Sequence, residues 1–351
     1  MAHERVATGG SVFAALATVL ALAIVLQGVP APPIVAAIGL GVVAAGGFLA
    51  RRVGYASRRL AGVVGIVAGV TLATSGVSVL ATTSGDGAIG GLAGALVSAG
   101  VVCAAIGIAE LQGTSTYRLA RAVQMVSIAV LLVMVAFLVA TVLRWLPMIV
   151  GLELTAVQQF GFDRVALAVG MLGVTIGFLV GTGRGFGYLD LGVPGRNELG
   201  WTLGGIVVIL AVAFVIGLVY STAGIEGAEH EVARRGRIDG AELLLLAMPL
   251  TVIATAVGEE VLYRNGVQKY LTEHFPAWWA IGFTSVVFAI AHVPALQATA
   301  VIGIVATIAV VFVLSMVLGW VYHRTGNVLV PIAIHGTYNV IIFAIWYVQF
   351  S

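Results

Sequence analysis

The stretch TVIATAVGEEVLYRN, residues 251–265, decides the fold, because it sets two adjacent carboxylates and an arginine inside an apolar helical run. A charged side chain at the centre of a bilayer costs about 2.5 to 3.5 kcal/mol. Glu259, Glu260 and Arg264 nevertheless fall within six residues of the chain. Such a concentration of charge indicates a functional site rather than a surface that faces lipid.

The spacing of these three groups assigns them different tasks. Glu260 and Arg264 are four residues apart and lie on one helix face, with the acid before the base, which is the favourable order for an ion pair. Glu259 is rotated by about 100° from Glu260. One carboxylate is thus neutralised by arginine, while the other is free to accept a proton, as a general base must.

The composition is that of a membrane protein. Of the 351 residues, 60% are hydrophobic and 9% are charged, and the mean hydropathy is +1.11. A soluble domain carries about 25% charged residues, so we predict an all-α, polytopic transmembrane helix bundle. The net charge of +2 gives no reason to expect nucleic acid as a partner. The single cysteine, Cys103, excludes an intramolecular disulfide and a cysteine-based metal site.

The apolar runs, at about 20 residues per span, predict about eleven transmembrane helices. The first run could imitate a signal peptide, but it is about long enough to span and further spans follow it. A break around residues 144–164 predicts a boundary between an N-terminal accessory block of about five helices, residues 1–150, and a second block, residues 151–351. The predicted spans lie near residues 11–28, 33–50, 60–82, 88–109, 123–146, 165–182, 201–220, 241–263, 278–294, 299–321 and 328–348.

The basic residues predict the orientation of these spans. A cytoplasmic loop at residues 51–59, combined with eleven spans, places twelve of the seventeen basic residues inside, among them Arg184 and Lys269. The arginines of residues 234–237 are the main exception. We therefore predict a multi-pass protein of the cell membrane whose N-terminus and active-site opening are cytoplasmic and whose last residue, Ser351, lies outside.

Polar groups that lipid would not tolerate recur on three of the last four predicted helices. The helix near 278–294 holds His292, four residues after Phe288. The last helix holds His335 and Asn339, whose spacing puts them on one face. A lone histidine in an apolar helix is more often a hydrogen-bonded packing residue than a catalytic one. Two histidines, two glutamates and an asparagine on three helices indicate one buried site.

Such a set of side chains can activate water. A buried carboxylate and a neighbouring histidine can share a proton near neutral pH. His335 and Asn339 would donate hydrogen bonds to a developing oxyanion. These helices pair no serine or cysteine with a base and contain no HExxH motif. Water is therefore the expected nucleophile.

The three motifs resemble those of the CAAX-protease and bacteriocin-processing (CPBP, Abi) family of intramembrane endopeptidases, which is related to the type II CAAX prenyl endopeptidases. All three occur in order, and the resemblance covers roughly residues 165–351, leaving the N-terminal block unexplained. The motifs read Glu259-Glu260-x-x-x-Arg264, Phe288-x-x-x-His292 and His335-x-x-x-Asn339.

The resemblance implies an intramembrane endopeptidase whose catalytic core is the block 151–351. Glu259 would be the general base on water, assisted by His292, and Glu260 would be held by Arg264. His335 and Asn339 would support the tetrahedral intermediate. The expected partners are membrane lipid and a membrane-associated peptide or protein substrate.

The family is commonly labelled as metalloproteases, which leaves two predictions for the cofactor. Glu259, His292 and His335 could hold zinc with one position open for water. Asparagine is a poor zinc ligand, and a metal-free scheme gives every residue of the site a task. We therefore favour no cofactor and keep zinc as the alternative.

Two other functions are compatible with the sequence. Acids and histidines within helices also form proton relays, so a proton-coupled transporter is one alternative, although the N-terminal half lacks matching acids. A non-catalytic membrane scaffold or immunity factor that only binds a peptide is the other. The glycine-rich loop 181–200 lacks the context of a nucleotide motif and is interpreted as an ordinary connection.

Overall fold

The computed structural model describes residues 2–26, 32–82, 87–114, 116–297 and 301–351. Nearly all of the described chain is helical, which confirms the prediction of an all-α bundle. The chain divides into two compact units, Met1–Gln124 and Met125–Ser351.

Close helix packing characterises the first unit. A Cβ atom on Gly69 would lie 2.4 Å from the backbone nitrogen of Ala104, so only glycine lets these two helices approach so closely. The accessory role predicted for the N-terminal block stays a prediction. Within its described residues the unit contains α1 (Ala2–Leu26), α2 (Pro32–Arg52), α3 (Arg58–Thr82), α4 (Gly87–Gln112) and the start of α5 (Thr116–Arg144).

The division between the units lies inside α5, whereas the boundary predicted from the sequence follows residue 150. Packing explains the difference, because Leu132 and Ala136 of α5 belong to the same hydrophobic core as Leu262 and Tyr263. The polar break at residues 144–164 is therefore a connection between two helices of the second unit.

The second unit contains the three motifs. Its helices are the rest of α5, then α6 (Leu146–Ile149), α7 (Ala156–Gly181), α8 (Arg196–Thr222), α9 (Glu231–Asp239), α10 (Glu242–Leu250), α11 (Ala256–Glu260), α12 (Tyr270–Thr272), α13 (Ala277–Ala291), α14 (Val301–Thr325) and α15 (Leu329–Phe350). Two short strands, β1 (Glu229–His230) and β2 (Leu296–Gln297), pair antiparallel.

Among the described residues, eight helices are long and apolar enough to cross a membrane. They coincide with eight of the eleven predicted spans, and the other three predicted spans fall on α1, α2 and α4, so the count of eleven stays a prediction. The chain is a multi-pass membrane protein. The eight helices are Arg58–Val79, Ala120–Ile149, Ala156–Gly181, Arg196–Thr222, Glu242–Thr272, Ala277–Ala295, Ile302–Thr325 and Leu329–Phe350.

The charged stretch belongs to one continuous helical segment, Glu242–Thr272, which we call the motif helix. Two π-helical segments, Thr251–Thr255 and Val261–Lys269, flank α11 and its two glutamates. The widened turns of π segments occur frequently at functional sites. Pro249 precedes the first π segment and lacks an N–H for the regular helical ladder.

The long helices of the second unit bring two sets of loops to opposite ends of the unit. We call the first set the α9 end, which comprises residues 144–164, 228–240, 296–297 and 301–303. Here Arg144 Nη2 lies 2.9 Å from Asp163 Oδ2, and β1 pairs with β2. The second set, residues 184–192, 265–273 and 322–328, is the Asp190 end. There Asp190 accepts hydrogen bonds from Lys269 Nζ at 2.7 Å and from the Tyr322 hydroxyl at 2.6 Å.

Candidate active site

The ion pair that the sequence predicts is present and completely buried. Arg264 Nε donates to Glu260 Oε2 at 2.7 Å, and neither side chain is exposed to solvent. The other nitrogens of Arg264 donate to Gln268 Oε1 at 3.4 Å and to the Ser315 hydroxyl at 3.2 Å. Gln268 in turn donates to the carbonyl of Gly319 at 2.8 Å. Partners on two helices therefore satisfy the buried guanidinium, as a charge in this environment requires.

His335 joins the last helix to this pair. Its Nδ1 lies 2.9 Å from Glu260 Oε1. Because a carboxylate only accepts hydrogen bonds, Nδ1 carries a proton and donates it to Glu260. The other ring nitrogen, Nε2, lies 3.7 Å from Glu259 Oε2. The buried ion pair thus orients His335 so that Nε2 faces Glu259.

Glu259 has a carboxylate oxygen with no partner. The side chain is 10% exposed, and its Oε2 atom is buried without a hydrogen bond in the described part of the chain. A buried acceptor of this kind is expensive to leave unpaired, and such groups commonly mark a catalytic role or an unplaced water. Glu259 therefore offers an open position for a proton, whereas both oxygens of Glu260 are engaged.

His292 lies at the end of α13 with one nitrogen engaged. Its Nδ1 lies 2.8 Å from the carbonyl oxygen of Phe288, so Nδ1 is the donor in this contact and Nε2 takes no part in it. The ring of Phe288 packs against His292 with centroids 4.6 Å apart and against His335 at 6.1 Å. The aromatic residue of this motif therefore packs against both histidine rings.

Asn339 is held by a residue that the sequence did not single out. Its Nδ2 donates to the hydroxyl of Thr251 at 2.9 Å. Thr251 lies in the first π segment of the motif helix, 88 residues earlier in the chain. This contact fixes one hydrogen of the amide and leaves the second hydrogen available.

Four of the six predicted site residues line one cavity of about 860 Å³ in the second unit. Glu260 and Arg264 do not line it and lie behind the wall that their neighbours form. The four lining residues are Glu259, His292, His335 and Asn339.

Residues 241–341 match a family model that describes the type II CAAX prenyl endopeptidase, Rce1-like. The resemblance is confirmed. The matched segment begins at the motif helix and includes all three motifs, ending two residues after Asn339. Searches of curated proteins and of solved structures gave no match.

The cavity lined by the matched segment lies towards the α9 end. From Glu259 the lining continues through Thr251 and Phe160 to Arg144 and Glu229, and it includes no residue of the Asp190 end. Three of the basic residues that predict a cytoplasmic location, Arg184, Lys269 and Arg324, belong to the Asp190 end. The cavity and these basic residues therefore lie at opposite ends of the second unit, and the orientation of the chain in the membrane stays a prediction.

Cysteine labelling tests this orientation. In a chain whose Cys103 is replaced, we expect single cysteines at Ser57 and Gly187 to react from the cytoplasm and a cysteine at Ser351 to react from the opposite side. Ser351 follows α15, whose Phe350 packs near Val232 of α9, so its accessibility reports on the cavity side. Labelling of Gly187→Cys and Ser351→Cys from the same side would contradict this arrangement.

His230 is a cavity residue that the sequence analysis missed. It lies on β1, and its ring is 6.5 Å from the ring of His292 between centroids. Burial, followed by the proximity of His292 and Arg164, lowers the pKa of His230 to about 3. The ring is therefore neutral at physiological pH. Its segment reads as a polar connection in the sequence, and only the pairing of β1 with β2 brings it to the site.

The predicted zinc site does not assemble in the geometry that the structure describes. Among the described residues, no three side chains of histidine, cysteine, aspartate or glutamate converge in a way that could hold a metal ion. His335 Nδ1 is engaged by Glu260 and His292 Nδ1 by a backbone carbonyl. We therefore derive no step through a metal, and both cofactor predictions are left to experiment.

Proposed function

We propose that this chain is an intramembrane endopeptidase in which Glu259 activates water for attack on a peptide bond. One observation carries the proposal. Glu259 lines a cavity, and its Oε2 atom has no hydrogen bond and faces Nε2 of His335. The buried Glu260–Arg264 pair holds this histidine in place. The match of residues 241–341 to the endopeptidase family supports the same reaction class.

In the proposed reaction, the water oxygen attacks the carbonyl carbon while Glu259 Oε2 accepts a proton from that water. When the tetrahedral intermediate collapses, the bond between carbon and nitrogen breaks, and Glu259 returns the proton to the leaving amine. His292 assists through Nε2, the nitrogen that Phe288 leaves free. The protein is regenerated without a covalent intermediate.

Charge balance supports a role for His335 as an oxyanion donor. With a proton on both ring nitrogens, His335 and Arg264 neutralise Glu259 and Glu260, so the buried group carries no net charge, which a low dielectric favours. His335 Nε2 and the second hydrogen of Asn339 Nδ2 then stabilise the negative oxygen of the intermediate.

The proposed substrate is a peptide or protein that reaches the cavity from the membrane. Large apolar side chains of α8 are exposed, with Phe214 at 72% and Leu203 at 67%, which suits contact with lipid tails. Membrane lipid is therefore the proposed surrounding partner, and the name of the matching family suggests prenylated peptides as the first substrates to test.

Reconstitution in liposomes tests the proposed function. The purified chain is incubated with membrane-associated peptides while mass spectrometry follows new peptide ends and an enclosed dye follows proton movement. We expect new peptide ends and no proton flux above that of empty liposomes. Proton flux without cleavage would instead establish the transporter, and binding without either would establish the scaffold.

The cofactor prediction has its own measurement. We expect extended chelation to leave peptide hydrolysis unchanged, because Glu259 activates water directly at a distance of about 2.6 to 3.2 Å. Elemental analysis of the same sample then finds zinc well below one equivalent. Loss of activity on chelation that zinc alone restores would overturn the metal-free scheme.

A further inference from the structure

The cavity wall near the α9 end contains an arginine without a partner. Arg234 lines the cavity and is partly buried. It forms no ion pair or hydrogen bond with any described residue, and its Nε atom is buried and unpaired. The cation therefore faces the interior of the cavity with its hydrogen-bonding capacity unused.

The other arginines of this end are balanced by carboxylates. The guanidinium of Arg164 lies 2.8 Å from Glu231, which leaves Arg234 as the unbalanced charge among the described arginines of the α9 end. The remaining pairs are Arg144 with Asp163, Arg235 with Asp239 and Arg237 with Glu229.

Two further donors belong to residues that line the same cavity as Arg234. The Nε atom of Arg164 is buried without a partner, although the same guanidinium bonds Glu231 through Nη2. Glu231 precedes Arg234 by three residues and therefore shares its face of α9. His230 accepts a hydrogen bond from the backbone N–H of Val232 through Nδ1, so the proton of its neutral ring is on Nε2. Each donor belongs to a residue that lines the cavity.

We propose that Arg234 binds a carboxylate of the peptide substrate in the cavity that Arg164 and His230 also line. Unpaired buried donors disfavour the empty site, and an anion that accepts from them removes this penalty. A guanidinium suits a carboxylate because its planar donors match the two oxygens. The inference rests on the proposed peptidase function, since the same cavity contains Glu259. The carboxylate comes either from the C-terminus of the peptide or from an acidic side chain.

Matched peptides distinguish the two sources of the carboxylate. The two peptides of the first pair have the same sequence, and one has a free C-terminus while the other has an amidated one. Both peptides of the second pair have an amidated C-terminus, and they differ only in a glutamate or a glutamine near the cleaved bond. KM is measured on the wild type, and Kd is measured by fluorescence anisotropy on the Glu259→Gln variant, which binds without turnover. We expect the carboxylate form of one pair to bind about tenfold to 100-fold more tightly than its neutral form.

Variants on α9 then assign the preference to Arg234. We expect Arg234→Gln to remove the preference and Arg234→Lys to restore it in part. Arg237→Gln removes the same charge from the same helix outside the cavity lining and serves as the control. A preference that survives in Arg234→Gln, or wild-type protein without any preference, would overturn the proposed site.

The Kd measurements on the Glu259→Gln variant distinguish a failure of this inference from a failure of the proposed function. If the wild type cleaves no peptide but the Glu259→Gln protein still prefers the carboxylate form through Arg234, the peptidase proposal fails and the anion site stands. If cleavage occurs with equal KM and Kd for both members of each pair, the peptidase proposal stands and the anion site is excluded.

Discussion

Glu259→Gln is expected to lower kcat for peptide hydrolysis by about 100-fold to 10,000-fold, the range contributed by general-base catalysis. Glutamine keeps the shape of the side chain but cannot accept the proton from water. The oxygen that it replaces has no hydrogen bond to lose, so the variant should still fold. Steady-state kinetics on purified protein, with the thermal unfolding midpoint measured in parallel, provides the comparison.

The control for this variant is Glu242→Gln, the same substitution in the first turn of the same motif helix. Glu242 is exposed and does not line the cavity, so its replacement should leave kcat and KM unchanged. Equal cleavage by the wild type and by Glu259→Gln would refute the proposed reaction, whatever the behaviour of the control.

The Glu260–Arg264 contact was predictable from the sequence because it depends only on local helix geometry. Residues four apart meet on one face even where the helix widens, and the arginine follows the acid. The neighbouring Glu259 was predicted to point elsewhere, and it is the carboxylate that lines the cavity. The helical periodicity therefore predicted that Glu260 pairs with Arg264 and that the carboxylate of Glu259 remains available.

The contacts between helices were not predictable in the same way. Ser315 meets Arg264, and Thr251 meets Asn339, across separations of 51 and 88 residues. Serine and threonine are common in transmembrane helices for packing reasons, so neither residue carries a signal in the sequence. The role of His335 also depends on packing, because its contact with Glu260 follows from the position of α15 beside the motif helix.

The end of the second unit at which the cavity lies was not predictable from the sequence, for a related reason. Span counting assigns each loop to a side of the membrane but gives no information on which loops a buried site approaches. His230 and Arg234 read as parts of a charged connection, and that connection closes over the site because β1 pairs with β2 and α9 packs on α15. Each of these strands is only two residues long, which is too short to be recognised in a sequence.

Arg264→Ala is expected to lower the free energy of unfolding by about 3 to 5 kcal/mol, because it leaves the buried carboxylate of Glu260 without its cation. Glu260→Gln should also destabilise the protein, since it removes the negative charge opposite the guanidinium and weakens the hold on His335. The two effects should not add in the double variant, because each substitution removes the partner that the other leaves unpaired.

Thermal and denaturant unfolding in detergent measures these three variants against Arg237→Ala. Arg237 also pairs with a glutamate, but that pair lies at the surface, where water and salt weaken it, so its loss should not shift the unfolding midpoint. The comparison thus separates burial from pairing as the source of the effect. Arg264→Ala with the stability of Arg237→Ala would mean that water reaches Glu260, and the proposed orientation of His335 by a buried ion pair would then be wrong.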